Sequence, residues 1–428
     1  MASFSFGAGN ARKLLTIPLY AVGRVATALI PRSRDEWVFG CGVGIADGAL
    51  EVWDVAAADH QKAVWLVGSD AHAADARARG IPAVTKHSAK GFWRTARARV
   101  VVVTHGFGDV NRYGVSGAFV VQLWHGIPLK RIGIDSAETT RLPSTVSKLP
   151  GAALAGVLIS FMYRRATARI DLIPAASHLV RGRLESAFSL RDSAVPVTGE
   201  PRVDVLSRGT RAQRRKRAID QIESVVGAVD GASLVLYAPT WRDGAVDPAL
   251  PSSDDWQRID TVLKQRDAIL LVRSHPLGAG DYAPGFSTGR VRSLGADSVV
   301  DVTPLLPGLD ALITDYSSLA YDASLVPMPT LFFAPDLEEY EDRRGFYGRY
   351  RDVAGDNWAT TWTAVIAQLD LLLSDAGEHD RRLELAQRLS DRVHLYDDGR
   401  NTDRVYRAIL AAARLAPSTK DESPKGSR

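Results

Sequence analysis

The stretch VVQLWHGIPLKRIG, residues 120 to 133, places a histidine and a lysine directly after an apolar run. The apolar residues predict the end of a buried strand, which Gly126 and Pro128 terminate. His125 is therefore expected at the carboxyl end of a strand, the edge at which open α/β sheets bind ligands. An imidazole with Lys130 nearby suits a proton acceptor beside an anion site. The alternative is a core histidine that closes a turn.

Two further strand ends carry groups suited to binding phosphate. In YAPTWRD, Thr240 offers a hydroxyl and Arg242 a planar guanidinium that matches phosphate oxygens. In LLVRSHP, Arg273 and His275 share one face of the strand end because side chains alternate along a strand. The following proline holds His275 extended. The alternatives are a turn with a surface arginine and a structural histidine.

The segment LITDYSSLAYDASL joins a predicted strand to a predicted helix. Thr314, Ser317 and Ser318 lie at this junction, where hydroxyls and free backbone N–H groups bind phosphate well. We include Asp315 and Asp322 in the same predicted substrate site. The alternative is an ordinary helix cap, which Asp322 at capping distance from the serines favours. Capping and phosphate binding are compatible.

Together these strand ends hold two histidines, two arginines, a lysine and several hydroxyls, which indicates a site for a highly charged phosphate ester. The sequence contains neither the GxGxxG dinucleotide motif nor the GxxxxGK[ST] phosphate loop. It also contains no HExxH motif and no DxD-like cluster at a strand end, so we predict no metal site.

The strands that must position these groups alternate with helical stretches from Trp37 onward. Nearly continuous apolar strands are typical of parallel sheets buried on both faces. We therefore predict an α/β protein with two Rossmann-like, doubly wound domains that face each other across a cleft. The predicted division is an amphipathic segment at 1–34, an N-terminal acceptor domain at 35–206, a C-terminal donor domain at 207–413 and a disordered tail at 414–428.

Length and composition agree with this organisation. The chain has 428 residues, of which 46% are hydrophobic and 24% charged, enough for two globular domains. Its formal net charge of +4 suits phosphate-rich ligands or anionic lipid and does not demand nucleic acid. Cys41 is the only cysteine, which excludes an internal disulfide and a cysteine-based metal cluster and fits a reducing cytoplasm.

Two stretches combine apolar and basic residues without acids. Residues 1–34 contain five basic residues and no acid, and residues 151–170 are similar. The apolar residues of the first stretch follow helical spacing at Leu15, Leu19, Val22, Ala26 and Leu29. Both apolar runs are too short to span a bilayer, whereas basic amphipathic helices lie in membrane interfaces. We predict peripheral attachment to an anionic membrane surface, and the alternative for the first stretch is a core helix.

Seven motifs occur in a fixed order along the chain: WHGIPLKRIG, TGEPRVDVL, YAPTWRD, RSHP, ITDYSSLAYD, FFAPDLEEYEDRRGFY and HLYDDGRNTDRV. They resemble the CDP-glycerol glycerophosphotransferases of teichoic acid synthesis, over roughly residues 37 to 410. The chain departs from that family at GEPRVD, where an aromatic residue usually precedes PR. It also lacks the long N-terminal region of some polymerases, so the resemblance leaves primase and polymerase open.

The resemblance implies a GT-B fold, a nucleotide donor held mainly by the C-terminal domain, and peripheral attachment to the cytoplasmic face of the membrane. His125 would be the general base on an acceptor hydroxyl, which attacks the β-phosphorus of CDP-glycerol and expels CMP. His275 is the second predicted catalytic residue. The predicted substrate-binding residues are Lys130, Thr240, Arg242, Arg273, Thr314, Asp315, Ser317, Ser318 and Asp322. No bound cofactor is required, and Mg²⁺ on the free diphosphate is compatible with the scheme.

Two other functions stay open on the sequence alone. One is a GT-B glycosyltransferase that uses a nucleotide sugar. The other is a non-catalytic, membrane-associated binding module, which the presence of both His125 and His275 disfavours. The sequence does not choose between glycerol and ribitol phosphate, does not name the polyol-phosphate acceptor and does not define the oligomeric state.

Overall fold

Ten short strands form the framework of the part of the chain that the structure describes. The computed structural model describes residues 17–140, 152–240, 242, 247–273 and 282–415. The strands are β1 (Glu36–Phe39), β2 (Lys62–Val67), β3 (Ala83–Thr85), β4 (Val100–Val103), β5 (Phe119–Gln122), β6 (Ser233–Ala238), β7 (Ala268–Val272), β8 (Val291–Ser293), β9 (Ala311–Thr314) and β10 (Thr330–Phe332).

The strands make two five-stranded sheets, with the orders β3-β2-β1-β4-β5 and β10-β9-β6-β7-β8. All neighbouring strands in both sheets are parallel. All four residues of β4, Val100–Val103, are buried, and so are all five of β7. Apolar strands buried on both faces are what a parallel sheet covered by helices requires. The predicted α/β class with two parallel-sheet domains is therefore confirmed.

Helices connect the strands and cover the sheets. Those of the first half are α1 (Ile17–Leu29), α2 (Asp47–Ala58), α3 (Asp70–Ala78), α4 (Ala89–Arg97), α5 (Ala137–Thr140), α6 (Ala152–Thr167) and α7 (His178–Phe188). Those of the second half are α8 (Arg211–Val226), α9 (Ser253–Gln265), α10 (Leu319–Ser324), α11 (Leu337–Arg344), α12 (Arg351–Ala354), α13 (Trp362–Ser374), α14 (Ala376–Val393) and α15 (Asn401–Ala413).

The last helix corrects the predicted domain boundary. Val405, Tyr406 and Ile409 of α15 are buried in the core of the first sheet, where the Tyr406 ring lies 5.8 Å from that of Trp37. Residues 401–413 therefore pack with the N-terminal domain, although the prediction assigned 207–413 to the C-terminal one. An amphipathic pattern reveals an apolar stripe but does not say which sheet will cover it.

The motif TGEPRVDVL forms the turn between the two domains, with a short 3₁₀-helix at Pro201–Leu206. Nη1 of Arg202 donates to both carboxylate oxygens of Asp322 at 2.8 Å, and its Nη2 donates to Thr303 at 3.0 Å. On the other side, Nε lies 3.4 Å from the Asp47 carboxylate at the start of α2. Arg202 thus joins the two domains through a largely buried ionic cluster.

Asp204 in the same turn holds the start of α15. Its carboxylate accepts hydrogen bonds from the backbone N–H groups of Asn401 at 2.9 Å and Thr402 at 2.8 Å. Those N–H groups begin a helix and have no partner within it, so a carboxylate there both caps the helix and complements its dipole. The turn therefore fixes the path by which the chain returns to the first domain.

Candidate functional site

The His125 loop follows β5 and turns by an unusual backbone path. Trp124 has φ of +63° and Gly126 has φ of +127°. A left-handed conformation is costly for a bulky residue such as tryptophan and tends to occur at functional sites. Its ring packs edge-on against Phe188 at 5.0 Å, which supports the strained turn. His125 is therefore held in place between two left-handed residues.

Gly126 brings this loop directly against the second domain. A Cβ at this position would lie 3.0 Å from Oγ of Ser318 and 3.6 Å from Nη1 of Arg202. Only glycine satisfies both the positive φ and this close approach. The WHG and DYSS strand-end loops therefore lie directly against each other at the domain boundary.

The His125 ring is packed by two other rings. It stacks on His105 with centroids 4.6 Å apart and planes 6° apart, and it lies 4.3 Å from the Trp124 ring. Part of the side chain reaches solvent, but its Nδ1 is buried. Burial, and then the neighbouring His105 and Arg202, lower the pKa of His125 to about 3, while a hydrogen bond with the Thr104 backbone acts in the opposite direction. The imidazole is thus neutral at neutral pH and able to accept a proton.

Lys130 lies at the same domain boundary. The chain on either side of it is bound to the second domain, since Arg131 N–H donates to the Gly345 carbonyl at 3.0 Å and Tyr347 N–H donates to the Leu129 carbonyl at 2.9 Å. Burial and nearby positive charges, mainly that of Arg344, lower the pKa of Lys130 to about 8. A cation held near like charges and away from water is a favourable site for an anion.

Three predicted hydroxyl ligands are placed differently from one another. Oγ1 of Thr240 is buried and accepts or donates no hydrogen bond within the described ranges. Ser318 makes no side-chain cap to α10, whereas Oγ of Ser317 accepts from the N–H of Leu319 at 3.2 Å. The partly buried Thr240, Ser317 and Ser318 are therefore compatible with the predicted contact to a phosphate.

Arg242 and Asp315 have a different role from the one predicted. Arg242 donates through Nε and Nη2 to Asp336 at 2.8 and 2.9 Å, and through Nη1 to Asp315 at 2.9 Å and to the Thr240 carbonyl. The Asp315 carboxylate also accepts from the Thr240 N–H at 2.9 Å. Both side chains are thus occupied in a buried network that supports the Thr240 loop, and this role replaces the phosphate contact predicted for Arg242.

Asp322, Thr314 and Arg273 also require correction. Asp322 is buried and bound to Arg202, as described above, and so cannot face an anionic substrate. Thr314 is fully buried, and its hydroxyl donates to the Ala238 carbonyl of the neighbouring strand at 2.8 Å. Arg273 donates to the carbonyls of Leu294, Val299 and Val300 and so holds the loop after β8. His275 lies outside the described residues, and its role stays a prediction.

Sequence reasoning missed His105 and Arg202. His105 follows β4 in the string VVVVTHG and so repeats the arrangement of strand, histidine and glycine that identified His125. Its position on the strand next to β5 could have been a signal. Arg202 has no comparable local signal, because its carboxylate partners are Asp47 and Asp322, 155 and 120 residues away along the chain.

One group of side chains next to His125 has the chemistry of a metal site. Cys41, Asp47 and His105 offer ligand atoms that lie within 4.8 Å of one another. However, Asp47 is paired with Arg202, and Nδ1 of His105 accepts the Gly42 N–H at 3.3 Å. Burial also raises the pKa of the Cys41 thiol to about 12, so the thiol keeps its proton. Each potential ligand is engaged within the protein, and we assign no metal to this group.

Comparison with known proteins places these motifs in a family. The family model described as CDP-Glycerol:Poly(glycerophosphate) glycerophosphotransferase matches residues 49–411. A teichoic acid glycerol-phosphate transferase of Staphylococcus aureus is 25% identical over 343 residues, which cover 77% of this chain and 80% of that protein. A teichoic acid poly(glycerol phosphate) polymerase of Bacillus subtilis is 26% identical over 365 residues, but the match spans only 45% of its length.

The fold is shared with a solved structure. The wall teichoic acid polymerase TagF superimposes with a TM-score of 0.70 at 21% identity, over 96% of this chain and 99% of the solved chain. At that identity the likeness concerns the arrangement of the two sheets and the helices around them.

Proposed function

Because the chain belongs to the CDP-glycerol:poly(glycerophosphate) glycerophosphotransferase family and is therefore a transferase, we propose that it moves glycerol phosphate, or another polyol phosphate, from a CDP-polyol to a hydroxyl of a membrane-linked teichoic acid or capsule acceptor. CMP is the second product. The GT-B arrangement, with donor and acceptor bound on opposite sides of an interdomain cleft, is part of this proposal.

His125 is the general base in the proposed reaction. The acceptor oxygen forms a bond to the β-phosphorus, the bond from that phosphorus to the bridging oxygen breaks, and the hydroxyl proton passes to the imidazole. CMP leaves with the electron pair of the broken bond. A neutral imidazole is required for this step, and an anionic donor beside the ring raises its pKa as the proton is taken up.

The donor diphosphate lies against Lys130 and the hydroxyls of Thr240, Ser317 and Ser318 in this proposal. Lys130 is close to the network that holds the Thr240 loop, since the charges of Asp315 and Arg242 both influence its pKa. Rate enhancement then comes from placing the acceptor in line with the phosphorus and from positive charge around the leaving CMP. The scheme needs no bound metal, and Mg²⁺ on the free diphosphate is compatible with it.

The observation that carries the proposal is the contact of the His125 loop with the Ser318 loop across the domain boundary. It is tested by incubating the enzyme with CDP-glycerol or CDP-ribitol and a lipid-linked acceptor, with the product mass as readout. We expect a mass gain of one polyol phosphate and release of CMP. Transfer of a hexose from a nucleotide sugar, or no release of CMP with either donor, would contradict the proposal.

We further propose that the enzyme is peripheral to the cytoplasmic leaflet of the membrane. Leu19, Val22 and Leu29 of the predicted apolar stripe of α1 are exposed, as is the neighbouring Val25, so this side of the helix faces away from the protein. Leu15 of the predicted stripe lies outside the described residues. The opposite face of α1 packs on the first domain, where the Tyr20 ring lies 5.0 Å from that of Tyr113. The core-helix alternative is therefore not supported for this stripe.

The second apolar-basic stretch supports the same surface. Val157, Phe161 and Met162 of α6 are exposed. Burial lowers the pKa of Arg169, and the positive charges of Arg24 and Arg165 lower it further, so basic residues near α1 and α6 are close together. Within the described ranges, no helix is both long and apolar enough to cross a bilayer. An exposed apolar surface beside basic residues suits an anionic lipid interface.

Substitution tests this surface better than truncation does. Arg32 donates hydrogen bonds to the carbonyls of Thr95, Ala98, Gly114 and Ser116, so removal of residues 1–34 would also disturb the first domain. We expect Val22→Glu with Val25→Glu to weaken cosedimentation with phosphatidylglycerol vesicles, and added salt to weaken wild-type binding. Turnover on a soluble acceptor analogue should not change. Leu371→Glu, on an exposed residue of α13, is the control, and equal binding by all three proteins would refute the membrane proposal.

A further inference from the structure

His105 is held rigidly beside His125 by the loop that follows β4. Its backbone N–H donates to the Asp109 carboxylate at 2.7 Å, and the same oxygen accepts the Thr104 N–H at 2.9 Å. Asp109 is buried, so the bonds are shielded from water. A Cβ on Gly42 would come within 2.9 Å of the imidazole, so the backbone at Gly42 also lies close against the ring.

The hydrogen bonds of His105 define its protonation state. The Gly42 backbone N–H points at Nδ1 from 3.3 Å and can only donate, so Nδ1 is the unprotonated nitrogen and Nε2 carries the hydrogen. The Thr104 hydroxyl lies 2.7 Å from the same Nδ1. A proton on Nδ1 would break the contact with the Gly42 N–H, which has no other way to bond to this nitrogen. His105 is therefore a neutral ring in a fixed orientation.

This neutral ring lies flat against the proposed general base. The two planes differ by only 6° at a centroid distance of 4.6 Å, so a proton cannot pass directly between the rings, since that would require in-plane alignment of nitrogens. The stacked contact can instead fix the orientation of the His125 ring and affect the energy of its protonated form. When His125 takes the acceptor proton, a neutral face rather than a second cation lies beside it.

We infer that His105 is a positioning residue for the transferase reaction: its locked, neutral ring fixes the plane of His125 and keeps a second positive charge away from it. The inference rests on the proposed role of His125 as general base. The charged and titratable groups that face this pair come from four elements: Cys41 after β1, Asp47 at the start of α2, Asp109 after β4 and Arg202 in the interdomain turn. Asp47 and Asp109 favour protonation of His105, whereas burial and Arg202 oppose it.

Two variants distinguish the contribution of a flat ring at position 105 from that of the imidazole group. His105→Phe keeps a flat ring that cannot be charged, and His105→Ala removes the ring. We expect kcat of the alanine variant to fall by about 10- to 100-fold, because small displacements of a reacting group cost rates of that order. The donor KM should stay within about twofold, and His105→Phe should retain at least about a third of the wild-type kcat. His87→Ala, on an exposed histidine of the same domain, is the control.

The titration of His125 provides a readout that a merely structural role would not move. In proton–nitrogen NMR spectra of the full chain, with the His125 signal assigned by its loss in His125→Gln, the pKa of His125 should stay close to the wild-type value in His105→Phe and rise in His105→Ala. The acid limb of kcat should likewise stay in place in His105→Phe and move to higher pH in His105→Ala. Phenylalanine replaces one neutral ring with another, whereas loss of the ring admits water and so weakens the desolvation that lowers the pKa of His125.

Several outcomes would overturn the inference. A wild-type kcat in His105→Ala, an unchanged His125 titration in His105→Ala, or equal impairment of both variants with unchanged thermal melting would each contradict positioning through the stacked ring. Failure of the proposed function itself is distinct, because it would appear as no transfer from any CDP-polyol by the wild type. The NMR titrations would still decide whether His105 controls the protonation of His125.

Discussion

At the scale of single residues, the proposed role of His125 is on the acceptor and not on the donor. We therefore expect His125→Ala to lower kcat by about 10²- to 10⁴-fold, the usual contribution of a general base. Its affinity for CDP-glycerol should stay close to that of the wild type, as calorimetric titration can show. His379→Ala, on an exposed histidine of α14, is the matched control. Unchanged turnover in His125→Ala would remove this side chain from the mechanism.

The titration of Lys130 predicts that the affinity for CDP depends on pH. Its ammonium group has a pKa lowered to about 8, so the free enzyme loses this charge as the pH rises above 8. A bound diphosphate requires the charged form, so the affinity for CDP should fall by up to about tenfold per pH unit above 8. Lys130→Arg should keep the affinity but lose this pH dependence, because its guanidinium stays charged. A similar pH profile in wild type and Lys130→Arg, measured by calorimetry, would place Lys130 outside the diphosphate site.

At the scale of secondary-structure elements, one partly buried histidine contributes to the packing of α14 against α10. Nε2 of His394, at the end of α14, hydrogen-bonds to the Tyr321 carbonyl of α10 at 3.0 Å. Burial lowers the pKa of His394 to about 4, although this hydrogen bond opposes the shift. The unfolded chain therefore binds a proton near its ordinary pKa of about 6.5, whereas the folded protein does not. His394 costs no stability above that pH and progressively more as the pH falls towards 4.

A substitution at His394 should reduce the loss of stability at low pH. His394→Gln keeps an N–H donor for the Tyr321 carbonyl but does not titrate. Between pH 6.5 and 4, the unfolding free energy of the wild type should fall relative to that of the variant by up to about 1.4 kcal/mol per pH unit. Urea unfolding at pH 7.5 and at pH 5 measures the difference. The same difference in unfolding free energy between wild type and variant at both pH values would contradict the assignment.

At the scale of the whole molecule, Arg202 is the residue that joins the two domains. Its pKa is raised despite the cost of burial, because Asp322 and Asp47 surround it with negative charge. Arg202→Met leaves these carboxylates buried without their partner, which typically costs about 3–5 kcal/mol. We expect a correspondingly lower urea midpoint and faster proteolysis between the domains.

A second variant identifies the cause of the lower stability expected of Arg202→Met. Arg202→Met combined with Asp322→Leu removes both members of the closest ion pair and should be less destabilised than Arg202→Met alone. If the double variant is the less stable of the two, the cost comes from lost packing and not from an uncompensated carboxylate. Thermal melts of the three proteins give the comparison.

Local sequence patterns determined most of the framework of this protein. Apolar runs such as VVVV in β4 and LVLYA in β6 contain enough information to predict parallel strands, because a strand buried on both faces has no polar side. The segment SVVDVT, at residues 298–303, has the apolar pattern of a strand but forms none; the edge strand is Val291–Ser293. Short apolar runs are ambiguous, since burial in a loop and burial in a sheet select the same residues.

The sequence by itself also determined which strand ends carry chemistry, as the meeting of the His125 and Ser318 loops at the domain boundary shows. Only the tertiary structure decided which polar groups are available there. Arg242 has a residue type suited to phosphate, and Asp322 lies in a segment predicted to bind substrate, yet both are occupied by partners 73 to 120 residues away along the chain. The role inferred for His105 follows only from its ring contact with His125 in the folded protein. Residue type sets what a side chain can bind, whereas burial and distance in the folded chain decide what it does bind.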